Sequence, residues 1–171
     1  GDHHAIIRLT LSGSSYQALF GWIDRGAEVR NVALRDVDIV ASDGGAAALT
    51  WYNAGVLVGC SSTGSVGVHG ATAGLVGRNQ GYVICCSSSC SVEGAGCGGL
   101  VMLNEGYVSR CHTTGSVSSI GSAGGIVSRN DRGNVTFCWS TGAVHGNKDV
   151  GGLLGQNSSG IVAYCYSTCG V

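Results

Sequence analysis

Proline is absent from the 171 residues, and charged residues make up only 11% of them. Ordinary soluble domains carry about 25% charged residues, so few side chains here can form salt bridges or charged catalytic groups. Because there is no proline, every backbone N–H can take part in a strand ladder. No apolar run approaches the ~18 residues of a membrane-spanning helix. The sequence therefore predicts no membrane span.

The net charge is −1, so neither sign of charge dominates. A nucleic-acid-binding domain carries a basic face, and no such excess of lysine and arginine is present here. We therefore predict no nucleic-acid partner. Apolar residues make up 44% of the chain and glycine contributes 31 residues. This share of apolar residues argues against disorder.

What the chain does contain is a repeat of five landmark residues. A Leu or Ile is followed by Asn, Gly, an apolar residue and Cys, and the series begins at Leu49. Later copies start at Leu75, Leu100, Ile126 and Leu153, so the spacings are 26, 25, 26 and 27 residues. We call these five copies repeats 1 to 5. A unit this short cannot bury its own apolar face and must stack on its neighbours.

Each repeat holds three short apolar stretches separated by Gly, Ser and Asn, with no helical period. This pattern predicts an all-β, single-domain parallel β-solenoid over residues 1–171, with about six coils of ~26 residues. A right-handed course is favoured over a left-handed one, although the repeat itself does not determine the handedness. Residues 1–45 are predicted to form a degenerate lead-in coil, and residues 46–171 five regular coils.

Two recurrent positions are predicted to form structural ladders along the solenoid. The Asn column suits a left-handed backbone conformation and stacked side-chain amides. The Cys column is interpreted as reduced thiols that pack as small apolar groups, because side chains of in-register parallel strands point the same way. The members of the two ladders are Asn53, Asn79, Asn104, Asn130, Asn157, Cys60, Cys86, Cys111, Cys138 and Cys165.

Four further cysteines lie outside this column. Cys86–Cys90 and Cys165–Cys169 would each close a corner of a coil, and Cys90–Cys97 competes with the first pairing. The total of nine is odd, so at least one thiol stays free within a single chain. The spacing leaves the pairing of Cys85, Cys90, Cys97 and Cys169 open.

Aromatic residues gather near the end of the chain, in the columns that flank the repeated Cys. Phe137 and Tyr164 precede this Cys, and Trp139 and Tyr166 follow it. Exposed rings of this kind stack on sugars or are covered by another subunit. Asn134 begins a glycosylation sequon and is predicted to face outward.

No catalytic, cofactor-binding or metal-binding residue is predicted. Polysaccharide-cleaving enzymes need clustered carboxylates. The four acidic residues of the repeats are assigned to different columns: Glu93, Glu105, Asp131 and Asp149. His69 and His145 are assigned to the column of Glu93, on coils too far apart to share one metal ion.

Two phrases in the repeats resemble the GLUG-motif repeat of large bacterial surface and secreted proteins. They are Gly98-Gly99-Leu100-Val101 with Asn104-Glu105-Gly106, and Gly151-Gly152-Leu153-Leu154-Gly155-Gln156-Asn157. The resemblance covers essentially the whole chain and departs from the pattern at residues 46–51, where the Gly-Gly-Leu phrase has decayed. It implies a β-solenoid at an extracellular or cell-surface location, as in adhesin-like proteins and non-catalytic parts of immunoglobulin-A-cleaving proteases. It implies no catalytic residue.

The chain is therefore predicted to be a non-enzymatic extracellular structural module: a stalk, an adhesin scaffold, or a filament subunit that stacks end to end. Its predicted partners are other copies of itself or flanking parts of a longer chain, with no cofactor. The half-coils at the two ends are expected to complement one another. The alternative is a glycan-binding module that uses the aromatic patch, and a polysaccharide-cleaving enzyme ranks below both.

Overall fold

A computed structural model describes residues 5–171, so the first four residues of the predicted lead-in coil lie outside the described part. Over this span the chain forms 25 β-strands and no helix. The strands make three parallel sheets, one of 13 strands and two of six, around a shared core. The predicted fold, an all-β parallel solenoid of about six coils, is confirmed. The described residues accordingly hold no helix that could cross a membrane.

Each of the two smaller sheets takes one strand from every coil. In one of them, here called the Asn sheet, the strands end at or next to the column of the repeated Asn. Its strands are Phe20–Ile23, Thr50–Asn53, Val76–Asn79, Val101–Asn104, Val127–Asp131 and Leu154–Ser158. The next sheet along each coil, here called the Val sheet, contains Glu28–Arg30, Val56–Val58, Tyr82–Ile84, Tyr107–Ser109, Asn134–Thr136 and Ile161–Ala163.

The third sheet, here called the wide sheet, follows the Cys column and closes each coil. Its strands are Ala5–Ile7, Thr10–Gly13, Ala33–Ala41, Gly45–Ala47, Ser61–Val68, Ala71–Ala73, Ser87–Gly94, Gly96–Gly98, His112–Thr113, Val117–Gly124, Trp139–Ser140, Val144–Gly151 and Tyr166–Ser167. Alternation of side chains along these strands sends every second residue into the core, as in Ser87–Gly94.

The core is built from columns of like residues that stack along the axis. The landmark Leu/Ile column is fully buried in repeats 1 to 4, and so is the apolar column of the Val sheet: Leu49, Leu75, Leu100, Ile126, Leu57, Val83, Val108 and Val135. Burying a side chain of this size stabilises the fold by roughly 1.5–3 kcal/mol. Because each column meets itself in the next coil, the repeat spacing fixes the register of all three sheets.

Differences in repeat length are absorbed at two corners. Repeat 2 is one residue shorter than repeat 1. The positions opposite Gly94 and Cys97 in the preceding coil are Val68 and Thr72. Cys97 follows Gly94 by three residues, whereas Thr72 follows Val68 by four. Repeat 4 has one extra residue after its Asn, and Arg132 occupies that position with a positive φ of 58°. The strand register on either side of each corner is unchanged.

The left-handed backbone position is not in the Asn column, which corrects the prediction. None of the five ladder asparagines has a positive φ. The residue before the repeated Cys has one instead, as in Cys85 (54°), Arg110 (54°), Phe137 (54°) and Tyr164 (55°). The chain turns sharply there from the Val sheet into the wide sheet, and this turn, rather than the amide ladder, requires the left-handed conformation.

The two half-coils lie on the same side of the solenoid. Ala5 pairs with Ala33, and the same column continues coil by coil to Trp139 and Tyr166. The expected complementarity between the two half-coils stays a prediction.

Candidate functional site

The Asn ladder runs through the corner between the Asn sheet and the Val sheet. Each Nδ2 donates to the Oδ1 of the next asparagine, at 2.8 Å for every step from Asn53 to Asn157. The four amides from Asn53 to Asn130 are fully buried. Because all the bonds point the same way, the ladder is one continuous chain of donors and acceptors.

Each buried asparagine side chain also forms hydrogen bonds with backbone groups at its corner. Nδ2 of Asn79 lies 3.3 Å from the carbonyl oxygens of Gly81 and of Tyr107 in the next coil. Oδ1 of Asn53 accepts the N–H of Gly55 at 3.2 Å. Buried amides are costly unless they are paired, and here the pairs join consecutive coils. The ladder therefore holds the coils in register.

The Cys column forms a second axial ladder, through sulfur. The backbone N–H of Cys86 donates to Sγ of Cys111 at 3.4 Å, and the N–H of Cys138 donates to Sγ of Cys165 at 3.3 Å. The thiol of Cys111 lies 3.2 Å from the carbonyl oxygen of Ser109 in its own coil. The column thus contributes hydrogen bonds in addition to the apolar packing that the sequence predicted.

All nine cysteines are free, so none of the three disulfides left open by the sequence is formed. Cys90 and Cys97 point into the core, whereas Cys85 is exposed. Burial raises the pKa of the Cys97 thiol to about 11 and also raises that of Cys90. Burial likewise raises the pKa of Cys111 well above its usual value. These buried thiols stay protonated at neutral pH and are poor nucleophiles.

The predicted aromatic residues form two short columns beside the Cys column, and we call them together the aromatic strip. Phe137 stacks on Tyr164 with centroids 4.9 Å apart, and Trp139 lies 6.2 Å from Tyr166. His112 continues the second column at 4.4 Å from Trp139. Tyr164 is 78% exposed, so the left-handed corner directs this ring outward. Asn134 pairs in register with Tyr107 on the Val sheet and is half-buried.

A further group of aromatic and charged residues is not apparent from the sequence, because its outward-facing members follow no repeat. Trp22 stacks on Tyr52 with centroids 3.7 Å apart, and the guanidinium of Arg78 lies 6.0 Å from the Tyr52 centroid. Trp51 stacks on Tyr16 at 4.6 Å. The strand register of the Asn sheet identifies this group, since it places Trp22, Tyr52 and Arg78 in one column.

Glu105 and Asp131 share a column, which corrects the prediction that no two acidic residues do. Each directly follows a ladder asparagine, and Asn104 pairs with Asn130. Arg78 binds Glu105 through Nε at 2.6 Å and through its terminal nitrogen at 2.9 Å. This contact holds the pKa of Glu105 below its usual value. A general acid of a glycosidase needs a raised pKa, so Glu105 is unsuited to that role.

The histidine column is also corrected. Glu93 pairs with Gly67 and with Ser118, and Ser118 pairs with His145, so His145 shares the column of Glu93. His69 lies two residues beyond Gly67, just after the end of its strand, and is outside this column. His69, Glu93 and His145 instead line one open hollow of about 510 Å³ beside the short corner of repeat 2. Within residues 5–171 no three His, Cys, Asp or Glu side chains come together as metal ligands.

A solved structure shares this architecture: the crystal structure of a putative immunoglobulin A1 protease from Bacteroides ovatus. The TM-score is 0.75 with 22% sequence identity, and the match covers 98% of this chain and 58% of that chain. The two proteins share a fold. At this identity the likeness extends to the fold alone, and the chain spans a little over half of its neighbour's length. No family profile and no curated protein matches the sequence.

Proposed function

We propose that the chain is a non-enzymatic structural module of an extracellular or cell-surface protein, a stiff rod of the GLUG-repeat type that serves as a stalk or adhesin scaffold. The observation that carries this proposal is the unbroken Asn ladder. In this ladder the asparagine side chains form hydrogen bonds between consecutive coils. Six coils at the ~4.8 Å strand spacing give a rod about 30 Å long.

The open edge after repeat 5 supports a role within a longer assembly. Val162 is 38% exposed, although its column partner Val135 is fully buried. Ile161 is also exposed, and Leu153 and Leu154 are only partly covered. A further coil would cover these side chains and extend the ladders. We propose that flanking coils of a longer chain cover this edge, and that end-to-end contact with another copy is the competing arrangement.

Electron microscopy of the purified chain, combined with an immunoglobulin A1 digestion assay, tests this proposal. We expect short rigid particles one rod long, and intact immunoglobulin A1 after incubation. Cleavage of the immunoglobulin would overturn the non-enzymatic role. Long fibres of uniform width would show that copies stack end to end, in place of the proposed flanking coils. The variant that carries Ile161→Lys and Val162→Lys should then form no fibres.

A second candidate function is glycan binding at the aromatic strip. The observation that favours it is the exposure of Phe137, Tyr164 and Tyr166, each more than half accessible, beside Trp139. Aromatic rings exposed in this way offer apolar surface for the C–H faces of sugars. Saturable binding to a glycan array that Trp139→Ala abolishes would support this function. Unchanged binding in that variant would remove the strip from consideration.

A further inference from the structure

An open hollow of about 510 Å³ lies on the wide sheet, where each coil turns from its long strand into the next part of the same sheet. Repeat 2 makes this turn with one residue, Ala95, between Gly94 and Gly96. Repeat 1 uses two residues, His69 and Gly70. The short turn leaves a space beside it, and a volume of this size suits a small ligand.

One wall of the hollow is a column of polar side chains from three consecutive coils. Glu93, Ser118 and His145 pair in register, so they follow one another at the ~4.8 Å strand spacing. All three are exposed. His69 lies in the coil before Glu93 and adds a second imidazole to the lining. A ligand in the hollow therefore meets polar groups along its whole length.

The hollow also has an apolar part, which lies in the coils that follow Glu93. Ile120 belongs to the next coil and is 73% exposed. Val144 and Val150, one coil further on, complete this part of the lining. Covering an exposed isoleucine removes apolar surface from water and favours binding. Apolar surface is therefore available about 5–10 Å along the axis from the Glu93 position, which is one to two strand spacings.

Glu93 gives the hollow its charge. Among residues 5–171 its carboxylate forms no salt bridge, whereas Glu105 is held by Arg78. No other Asp, Glu, Lys or Arg of the described chain lines the hollow. A neutral imidazole offers one donor and one acceptor, so His69 and His145 can bond a ligand without opposing a cation. The hollow thus favours a positively charged group and disfavours an anion.

We propose that this hollow binds a small organic cation with an apolar body, of the arylalkyl amine class. The ammonium group lies against the Glu93 carboxylate and donates a second hydrogen bond to His69. The apolar body packs on Ile120 and Val150, one to two coils further along the axis. Ser118 offers its hydroxyl to a polar substituent between the two ends. The structural role neither requires this site nor excludes it.

Titration of the nitrogen-15-labelled protein with 2-phenylethylamine, followed by NMR, tests the proposal, because amide shifts both measure binding and locate it. We expect saturable shifts at Glu93, Ser118 and His145, and an affinity about tenfold lower in Glu93→Gln. Ile120→Ser should lower the affinity severalfold, because it removes apolar contact. Glu28→Gln, which changes an exposed acid on the Val sheet, is the matched control and should leave the affinity unchanged.

Two further ligands separate charge from apolar contact in the unchanged protein. 2-Phenylethanol keeps the ring without the ammonium group, and we expect it to bind about tenfold more weakly than 2-phenylethylamine. Spermidine carries positive charge without an apolar ring and should also bind more weakly. Equal affinity for either of these ligands would overturn the proposal, and this comparison does not depend on any variant.

Three other results would overturn the site. They are the absence of saturable shifts with 2-phenylethylamine, shifts confined to another face such as the aromatic strip, and unchanged affinity in Glu93→Gln. Thermal melting shows whether Glu93→Gln and Ile120→Ser are folded, as we expect from the exposure of both side chains. Rod length by electron microscopy does not depend on this hollow, so failure here leaves the structural role untouched.

Discussion

At the scale of single residues, the repeated Cys and the repeated Asn both link consecutive coils, but through different hydrogen-bonding groups. The Cys lies just past a left-handed corner, where the N–H of Cys86 has the sulfur of Cys111 as its acceptor. A thiol is small enough for this core position and polar enough to accept that N–H. The Asn links coils in the same way at the other end of the Val sheet, with a longer side chain that both donates and accepts hydrogen bonds. Each residue therefore joins its own coil to the next.

Replacing Asn104 tests the ladder at its centre. In Asn104→Leu, Asn79 loses its acceptor and Asn130 loses its donor, while both remain buried. We expect a loss of about 3 kcal/mol in the free energy of unfolding, measured by urea denaturation, because each unpaired buried group costs ~1–3 kcal/mol. Asn157→Leu is the control at an exposed position and should cost less than about 1 kcal/mol. Equal losses in the two variants would contradict the ladder.

The sulfur acceptor can be tested at Cys111. We expect Cys111→Ala to lower the free energy of unfolding by about 1–3 kcal/mol, because the buried N–H of Cys86 is left without an acceptor. Cys111→Ser restores an acceptor and should cost less than the alanine variant. If alanine is tolerated as well as serine, the column acts through apolar packing alone, and the urea midpoints will show this.

The ion pair at Glu105 predicts a pH dependence. Its pKa is lower in the folded chain than in the unfolded chain because Arg78 binds the carboxylate. The stability it contributes is therefore present above the ordinary glutamate pKa of roughly 4.3 and is lost as the pH falls through the lower folded pKa. We expect the difference in melting temperature between wild type and Glu105→Gln to be positive at pH 7 and to shrink below pH ~4. A difference that does not change with pH would contradict the pairing.

At the scale of elements, the corner before the Cys column determines the surface that the rod presents. Non-glycine residues hold positive φ values there in four consecutive coils, from Cys85 to Tyr164. A left-handed residue costs roughly 1–2 kcal/mol relative to the right-handed form. The chain tolerates this cost because the interior columns on both sides of the corner are buried. The aromatic strip projects outward as a consequence of this turn.

Glycine at this corner should relieve the strain. We expect Arg110→Gly to raise the stability by up to about 1 kcal/mol, because glycine adopts φ near 54° without a steric penalty. Ser109→Gly is the control one residue earlier, inside the strand Tyr107–Ser109, and should destabilise by ~0.5–1 kcal/mol. The comparison uses melting temperatures, and a loss of stability in Arg110→Gly would show that the arginine side chain matters more than the backbone.

Sequence reasoning succeeded for the interior columns and failed for the left-handed corner and the outward-facing residues. The column spacing determined the coils, the three sheets and the core, because each interior residue must meet its like in the next coil. The left-handed corner was misplaced because asparagine favours that conformation in general, whereas here its side chain serves the ladder. The group around Trp22 was missed because outward residues such as Arg78 and Glu105 follow no period, and only the register brings them together.

At the scale of the whole molecule, the coil is the unit of stability. Leu75 and Leu100 occupy the same column, and Asn53, Asn79 and Asn104 are successive members of another. Stability in such an array is close to a sum of terms for each coil and each contact between coils. Removal of one complete coil should therefore bring the next coil into the same register.

Deletion of residues 75–99, which is repeat 2, tests this directly. We expect a folded, shorter solenoid in which Asn53 donates to Asn104, with a strand-type circular dichroism spectrum and a smaller denaturant m-value. Deletion of residues 75–86 is the control, because it removes part of a coil and displaces every column. Loss of the spectrum in the whole-coil deletion would show that repeat 2 has a role its neighbours cannot take over.

The one-way Asn ladder gives the rod a direction. Every side-chain amide donates toward the later coil, and every strand pairs in parallel with its neighbours. Turning the rod end over end therefore produces a different object, with donors where acceptors had been. Two such rods lying side by side form distinct parallel and antiparallel pairs. Only contact between unlike ends allows the row of amides to continue across a junction.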